Sequence, residues 1–138
     1  MSKKKIAFIC VHNSCRSQIA EALGKHFAAD VFESYSAGTE TKSQINPDAV
    51  RIMKKLYGID MEKTQHVKQI KDIPNPDMVI SMGCVEGCPY LGRAFDDNWE
   101  LLDPTGQPDE VFETVIKKIE TNIMRLKEQF AQRTTSHD

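Results

Sequence analysis

Between Lys5 and Phe27 the period of the apolar residues changes abruptly, and this change constrains the fold more than any other feature of the chain. Lys5 to Cys10 reads Lys-Ile-Ala-Phe-Ile-Cys, an apolar run of strand length. A polar turn, Val11 to Ser14, follows it. From Arg16 the apolar residues recur at helical spacing, with Ile19, Leu23 and Phe27 on one stripe. Strand, loop and helix in this order form the first part of a βαβ unit. The pattern then repeats. Val31 to Ala37 has strand length and ends at Gly38, a turn signal. Asn46-Pro47-Asp48 opens a second helix, because Pro is well tolerated in a first turn. Ala49, Met53 and Leu56 share its apolar face, and Gly58 stops it. Asp77 to Met82 is a third strand-length run ending in Gly83 and Cys84, and a weaker fourth strand is expected around Arg93 to Phe95. Asp109 to Phe130 is the longest helical segment, striped by Phe112, Ile116, Ile119, Ile123, Leu126 and Phe130.

Strands alternating with helices predict a single doubly wound α/β domain: a four-stranded parallel sheet with helices on both faces. The length, 138 residues, suits one domain with a real core. Residues 1–131 are expected to form it, and 132–138 a polar C-terminal tail. In such sheets ligands bind beyond the carboxyl ends of the strands. Cys10 and Cys84 both fall just past such an end.

A net charge of -2 and a pI near 6.1 point to neither nucleic acid nor a membrane surface as partner. Any affinity for anions must come from a local site. The lysines at positions 3 to 5 are followed by an apolar run from Ile6 to Val11, too short for a secretory segment, and no stretch approaches membrane-spanning length. A cytoplasmic monomer is expected. The 4 cysteines of an intracellular chain suggest catalysis, redox chemistry or metal before structural disulfides. The bland alternative is that some are small buried hydrophobes.

Cys10-Val11-His12-Asn13-Ser14-Cys15-Arg16-Ser17 places a Cys and an Arg at the two ends of a loop between strand and helix. A loop curling onto a helix N-terminus directs several backbone N–H groups into one concavity, which suits a tetrahedral oxyanion. Arg16 can grip two oxygens of that anion. The same positive field favours the thiolate of Cys10, the nucleophilic form. Ser17 can add a hydrogen bond to the sulfur, and Asn13 tolerates the left-handed backbone of a tight loop. The competing reading is a buried Cys at a strand end beside an unrelated Arg. A proton donor for a departing oxygen would be a carboxylic acid. Asp103 before Pro104 is one candidate, with Asp96, Asp97 and Asp109 as alternatives.

The chain resembles low-molecular-weight protein tyrosine phosphatases and the arsenate reductases built on the same fold. The resemblance runs over nearly the whole chain: Cys10 to Ser17, Gln18-Ile19-Ala20-Glu21, Tyr35-Ser36-Ala37-Gly38, Asn46-Pro47, Met82-Gly83-Cys84 and Asp103-Pro104. It implies Cys10 as nucleophile, the loop from Val11 to Ser17 as oxyanion cradle with Arg16 as its clamp, and Asp103 as general acid. Cys15 does not separate the two activities, since phosphatases of this fold often carry Cys there, and it reads as a packed loop residue.

The discriminating segment is Gly83-Cys84-Val85-Glu86-Gly87-Cys88-Pro89. Reduction of arsenate takes two electrons, which thiols supply: a second thiolate attacks the Cys10 sulfur and a third carries the disulfide onward. Cys84 and Cys88 are available for those roles, as in thioredoxin-coupled reductases of the family, though closer together here than in some of them. Gly83 and Gly87 lower the cost of the local refolding this would need. The resemblance thus implies arsenate as substrate, thioredoxin as electron donor and no bound cofactor or metal. The phosphatase alternative usually follows Asp-Pro with an aromatic residue, and here Thr105-Gly106 stands instead. A third alternative is a structural zinc held by Cys10, Cys15, Cys84 and Cys88. In some reductase relatives, residues matching Asn13, Glu21 and Ser36 help to hold potassium together with an acidic residue. The corresponding stretch here, Gln65 to Lys68, has none. His12 reads as a solvent-facing loop residue, His26, His66 and His137 as surface positions, and Trp99 as packing.

Overall fold

β1 (Lys4–Cys10) has Ile6 and Phe8 on one face and Ala7 and Ile9 on the other, and all four are completely buried. A strand apolar on both faces belongs inside a parallel sheet. β1 indeed lies between β2 (Phe32–Gly38) and β3 (Met78–Ser81), and β4 (Asp97–Asn98) adds to β3, giving the order β2-β1-β3-β4 with every pair parallel. This is a computed structural model, and it describes residues 3–83 and 95–135. Cys84, Cys88, Arg93 and His137 lie outside the described residues.

The larger core packs α1 (Arg16–Phe27), α2 (Pro47–Tyr57) and α4 (Asp109–Thr135) on the face carrying Ile6 and Phe8. The α4 stripe from Phe112 to Phe130 is buried there, as its spacing predicts. The opposite face is smaller: Ala7, Ile9, Ala37 and Val79, covered by Val11, Ile70, Ile73 and Phe95. α2 starts and stops for local reasons. Asn46 Oδ1 accepts from the N–H groups of Asp48 at 2.8 Å and Ala49 at 3.2 Å, Pro47 occupies the first turn, and Gly58 closes the helix at φ +70°.

β2 begins at Phe32, one residue later than the sequence suggests, because Val31 and Phe32 both donate to Ala28 O in the turn that ends α1. Among the described residues the fourth strand pairs at Asp97 and Asn98; of the segment expected around Arg93 to Phe95, only Phe95 is described. Phe95 supplies apolar cover to the sheet face, whereas the pairing residues are polar and exposed, so hydrophobicity does not mark them. Asp96 prepares the edge: its N–H donates to Val79 O at 2.8 Å and its carboxylate accepts from Val79 N at 2.7 Å. Two short elements carry too few residues to show a period: α3 (Met61–Thr64), capped by Asp60, and a 3-10 turn at Ile70–Asp72. α4 continues past Phe130 to Thr135. No helix among the described residues is long and apolar enough to cross a membrane.

β1 connects to β2 on one side, while β3 and β4 lie on the other. The crevice between the carboxyl ends of β1 and β3 is therefore the switch point at which such sheets bind ligands.

Candidate active site

Cys10 ends β1 at that crevice, and the chain from Val11 to Cys15 wraps round before α1 begins at Arg16. The carbonyls along this wrap all bond away from its centre. Val11 O accepts from Glu40 N at 2.8 Å, His12 O from Lys42 N at 3.2 Å, Ser14 O from Asn46 N at 2.8 Å and Cys15 O from Ile19 N at 3.0 Å. Asn13 O accepts from Gln18 Nε2 at 3.1 Å. In a planar trans peptide the N–H points opposite to the C=O. Outward carbonyls therefore turn the N–H groups of His12 through Arg16 inward, toward one centre at a helix N-terminus. That is a nest for an anion.

The turn is possible because Asn13 takes φ +49° and because Gly38, at the end of β2, has no side chain. A Cβ on Gly38 would meet Val11 O at 2.7 Å and Asn13 N at 2.8 Å. Asn13 is fully buried and braced on every side. Its Oδ1 accepts from Gln18 Nε2 at 2.9 Å and Lys68 N at 2.7 Å, and its Nδ2 donates to Ser17 Oγ at 2.9 Å. Ser17 Oγ in turn lies 2.9 Å from Cys10 Sγ. Because Asn13 fills the acceptor side of that hydroxyl, its proton is free to point at the sulfur, where a negative charge would strengthen the bond.

A small cavity of about 30 Å³ above the sulfur is lined by Cys10, Val11, His12, Ser14, Cys15, Arg16, Lys42, Asp103 and Thr105. Arg16 Nη1 donates to Leu101 O at 2.8 Å and to Met82 O at 3.2 Å, which anchors the guanidinium between the end of β3 and the segment leading to Asp103. A guanidinium carries five donors, so these bonds fix its direction without exhausting it. Asp103 Oδ1 accepts from Thr105 N at 3.1 Å and Thr105 Oγ1 at 2.7 Å, an Asx turn that points the carboxylate at the cavity. Burial pushes the Asp103 carboxyl up. The Thr105 bonds and the charges of Arg16 and Lys42 outweigh it and hold the group below its ordinary value. The Cys15 thiol goes the other way. Burial, then Asp103 and Cys10, push it up to about 12 against Arg16 and Lys42, so it stays protonated at neutral pH.

Of the residues the sequence proposes, the structure brings together Cys10, Val11, His12, Ser14, Cys15, Arg16 and Asp103 around one cavity, with Ser17 against the sulfur and Asn13 bonded to Ser17. Cys84 and Cys88 are not among the described residues; Gly83, at φ +120°, precedes them against Leu101 and Arg16. The alternative acids are spent elsewhere: Asp96 on Val79, Asp97 on Asn98 N in the edge strand, and Asp109 on Arg51. His12 Nδ1 donates to Glu40 O at 2.8 Å, and Trp99 packs on Phe8 with ring centroids 5.4 Å apart. Sequence reasoning does not reach Lys42, Thr105, Gln18, Lys68 or Gln65, whose Nε2 donates to Gln18 Oε1 at 2.7 Å. The first two sit in loops without a period. Gln18 did carry a signal: Ser17, Gln18 and Glu21 recur as a polar stripe on a helix whose remaining inner face is apolar, and all three are buried.

A cysteine sulfur at the mouth of a parallel sheet, ringed by backbone amides and faced by an arginine and a carboxylate, is the arrangement that cysteine chemistry on a tetrahedral oxyanion requires. Residues 5–136 match the low molecular weight phosphotyrosine protein phosphatase family, and the chain belongs to it. Among curated proteins it is 38% identical over 134 residues to an arsenate reductase of Staphylococcus aureus (strain Newman), covering 92% of this chain and 98% of that one. Among solved structures, an arsenate reductase in the phosphate binding state superposes with a TM-score of 0.80 at 34% identity, covering 92% of this chain and 98% of that one. A thioredoxin-dependent arsenate reductase of Corynebacterium glutamicum matches with a TM-score of 0.71 at 30% identity, covering 96% of this chain and 64% of that one.

Proposed function

We propose that this chain reduces arsenate to arsenite in the cytoplasm, with Cys10, Cys84 and Cys88 as a thiol relay regenerated by thioredoxin. The observation that carries the reading is the amide-lined cavity over Cys10, with Arg16 and Asp103 at its wall. The likeness to arsenate reductases over nearly the full length supports it.

Arsenate binds with its oxygens on the inward amides and the Arg16 guanidinium. The Cys10 thiolate attacks As(V), an As–O bond breaks, and Asp103 protonates the departing oxygen as water. The lowered Asp103 carboxyl is ionised in the free enzyme, so both protons of the departing water arrive with the arsenate monoanion: one is already on the leaving oxygen, and the other passes from a second oxygen through the carboxylate to it. Cys84 thiolate then attacks the Cys10 sulfur. The S–As bond breaks with its electron pair going to arsenic, arsenite leaves, and a Cys10–Cys84 disulfide remains. Cys88 thiolate attacks the Cys84 sulfur and releases Cys10, and a dithiol of thioredoxin reduces the Cys84–Cys88 disulfide. Each turnover thus moves two electrons from two thiols to one arsenic. Cys15, protonated and buried, takes no part.

A slow phosphomonoesterase activity accompanies this, because the loop and acid do not distinguish phosphate from arsenate. The loop after Asp103 presents Thr105 and Gly106, with no ring face for an aryl ester. The test is arsenate reduction coupled to thioredoxin, its reductase and NADPH, run beside aryl phosphate hydrolysis. Cys84→Ser and Cys88→Ser are expected to abolish the first and leave the second. Equal loss of both would show these cysteines to be structural.

A further inference from the structure

Behind the anion loop, away from the cavity over Cys10, lies a buried charge cluster. Glu21 has a side chain only 4% exposed. Its Oε1 accepts from Ser36 Oγ at 2.5 Å and from Lys68 Nζ at 3.1 Å, and its Oε2 accepts from Lys25 Nζ at 2.5 Å. A carboxylate this deep needs a cation beside it. Lys25 is 44% exposed and bonds from the rim, whereas Lys68 is 10% exposed and bonds from within. The Lys68 ammonium also donates to His66 O at 2.8 Å.

The same residue is stitched to the loop through its backbone. Lys68 N donates to Asn13 Oδ1 at 2.7 Å, and Lys68 O accepts from Gly38 N at 3.0 Å. From Asn13 the chain of bonds continues through Ser17 Oγ to Cys10 Sγ. Residue 68 therefore joins the buried carboxylate to the positioning of the nucleophile.

In some reductase relatives potassium sits on residues matching Asn13, Glu21 and Ser36, and the residues here do not fit it. Asn13 Oδ1 is already engaged by Lys68 N and Gln18 Nε2. Glu21 Oε1 is engaged by Ser36 and by a cation that belongs to the chain. A second positive charge would have to settle against the ammonium with no further carboxylate in the stretch from Gln65 to Lys68 to offset it.

We propose that Lys68 is a tethered cation: a positioning residue that neutralises Glu21 from inside the fold, fixes Asn13 and the Ser17–Cys10 contact, and frees the loop from any need for an alkali metal ion. The proposal concerns the loop and rests on Cys10 being its nucleophile, not on the identity of the oxyanion. A cavity of about 470 Å³ bordered by Glu21, Lys25, Gln65 and Lys68 gives solvent ions a route to the carboxylate once the ammonium is removed.

The experiment compares wild type, Lys68→Met, Lys68→Arg and the double variant Glu21→Gln/Lys68→Met in potassium chloride and in tetramethylammonium chloride at equal ionic strength. Two quantities are read, the Tm and the rate of Cys10 alkylation by iodoacetamide, neither of which needs arsenate turnover. For wild type both are expected to be the same in the two salts. Lys68→Met is expected to lose Tm and to alkylate Cys10 several-fold more slowly in tetramethylammonium, with both partly restored by potassium. Lys68→Arg should behave as wild type, and the double variant should regain much of the Tm by removing a carboxylate left with only the rim cation Lys25 beside it. A wild type that gains Tm from potassium over tetramethylammonium would overturn the proposal, since a metal ion would then bind beside Lys68. So would a Lys68→Met protein whose Cys10 reacts at the wild-type rate. Should Lys68→Met not fold, a double variant that also fails overturns it, because the carboxylate would then not be what Lys68 answers.

Discussion

Gly38→Ala adds one methyl group where β2 meets the anion loop, and its effect can be worked from the structure. The new Cβ would stand 2.7 Å from Val11 O and 2.8 Å from Asn13 N, whereas ordinary contact begins at 3.4 Å. Both neighbours are backbone atoms, so no side chain can swing away, and the loop must retreat by about 0.7 Å. Overpacking of this kind costs about 1–3 kcal/mol. That corresponds to a Tm lower by roughly 3–10 °C for a domain of this size. The catalytic loss should be larger in proportion, because the displaced atoms carry the amides that face the oxyanion. A misplacement near 1 Å costs on the order of 100-fold, so kcat/KM for arsenate should fall roughly 10- to 100-fold. Competitive inhibition by phosphate should weaken in parallel. Gly58→Ala is the control. It lies at φ +70° with nothing among the described residues within 4 Å of an added Cβ, far from the loop, so it should cost stability and leave kcat/KM alone. A Gly38→Ala enzyme with wild-type kcat/KM and phosphate inhibition would refute the argument that close approach of β2 shapes the nest.

Other consequences are open to measurement. With its thiol pushed up to about 12, Cys15 should remain unmodified when native protein is treated with iodoacetamide at pH 8 and mapped by mass spectrometry, while Cys10 reacts. Thr105→Val removes a hydrogen bond that favours the Asp103 carboxylate, so the Asp103 pKa rises toward its ordinary value. In the complex the carboxylate then holds the proton it takes from the bound oxyanion to higher pH, and the pH at which kcat falls should move upward. The opposite shift would mean that Thr105 does not tune this group. Ile119→Ala empties a fully buried site under the sheet and should cost about 2–5 kcal/mol in denaturant unfolding without altering KM. Asn46→Ala strips the α2 cap and should cost about 0.5–2 kcal/mol, read as a lower midpoint with unchanged slope.

The parts of the site that sequence makes visible are those concentrated in one segment. Cys10, Arg16 and Ser17 fall between a strand pattern and a helix pattern, and the loop joining them has no other job in a parallel sheet. Asp103 is visible only through the family resemblance, because four aspartates crowd that region and nothing local ranks them. The fold ranks them by occupying three with Val79, Asn98 and Arg51 and by turning the remaining carboxylate inward with Thr105. Lys68 was hidden for a different reason. Its partner Glu21 is 47 residues away, and a lysine in a stretch without a period reads as a solvated surface residue. The pairing at Asp97 and Asn98 is not legible in the sequence because edge pairing uses backbone groups, and the polar side chains there leave no hydrophobic trace.

The relay itself is tested most directly by one arsenate turnover without thioredoxin, quenched in acid, alkylated and mapped for disulfides. One Cys84–Cys88 disulfide is expected for each arsenite formed, and a Cys10–Cys84 disulfide when Cys88→Ser blocks the last exchange. Arsenite released with all thiols intact, or a disulfide that joins Cys10 to Cys15, would contradict it.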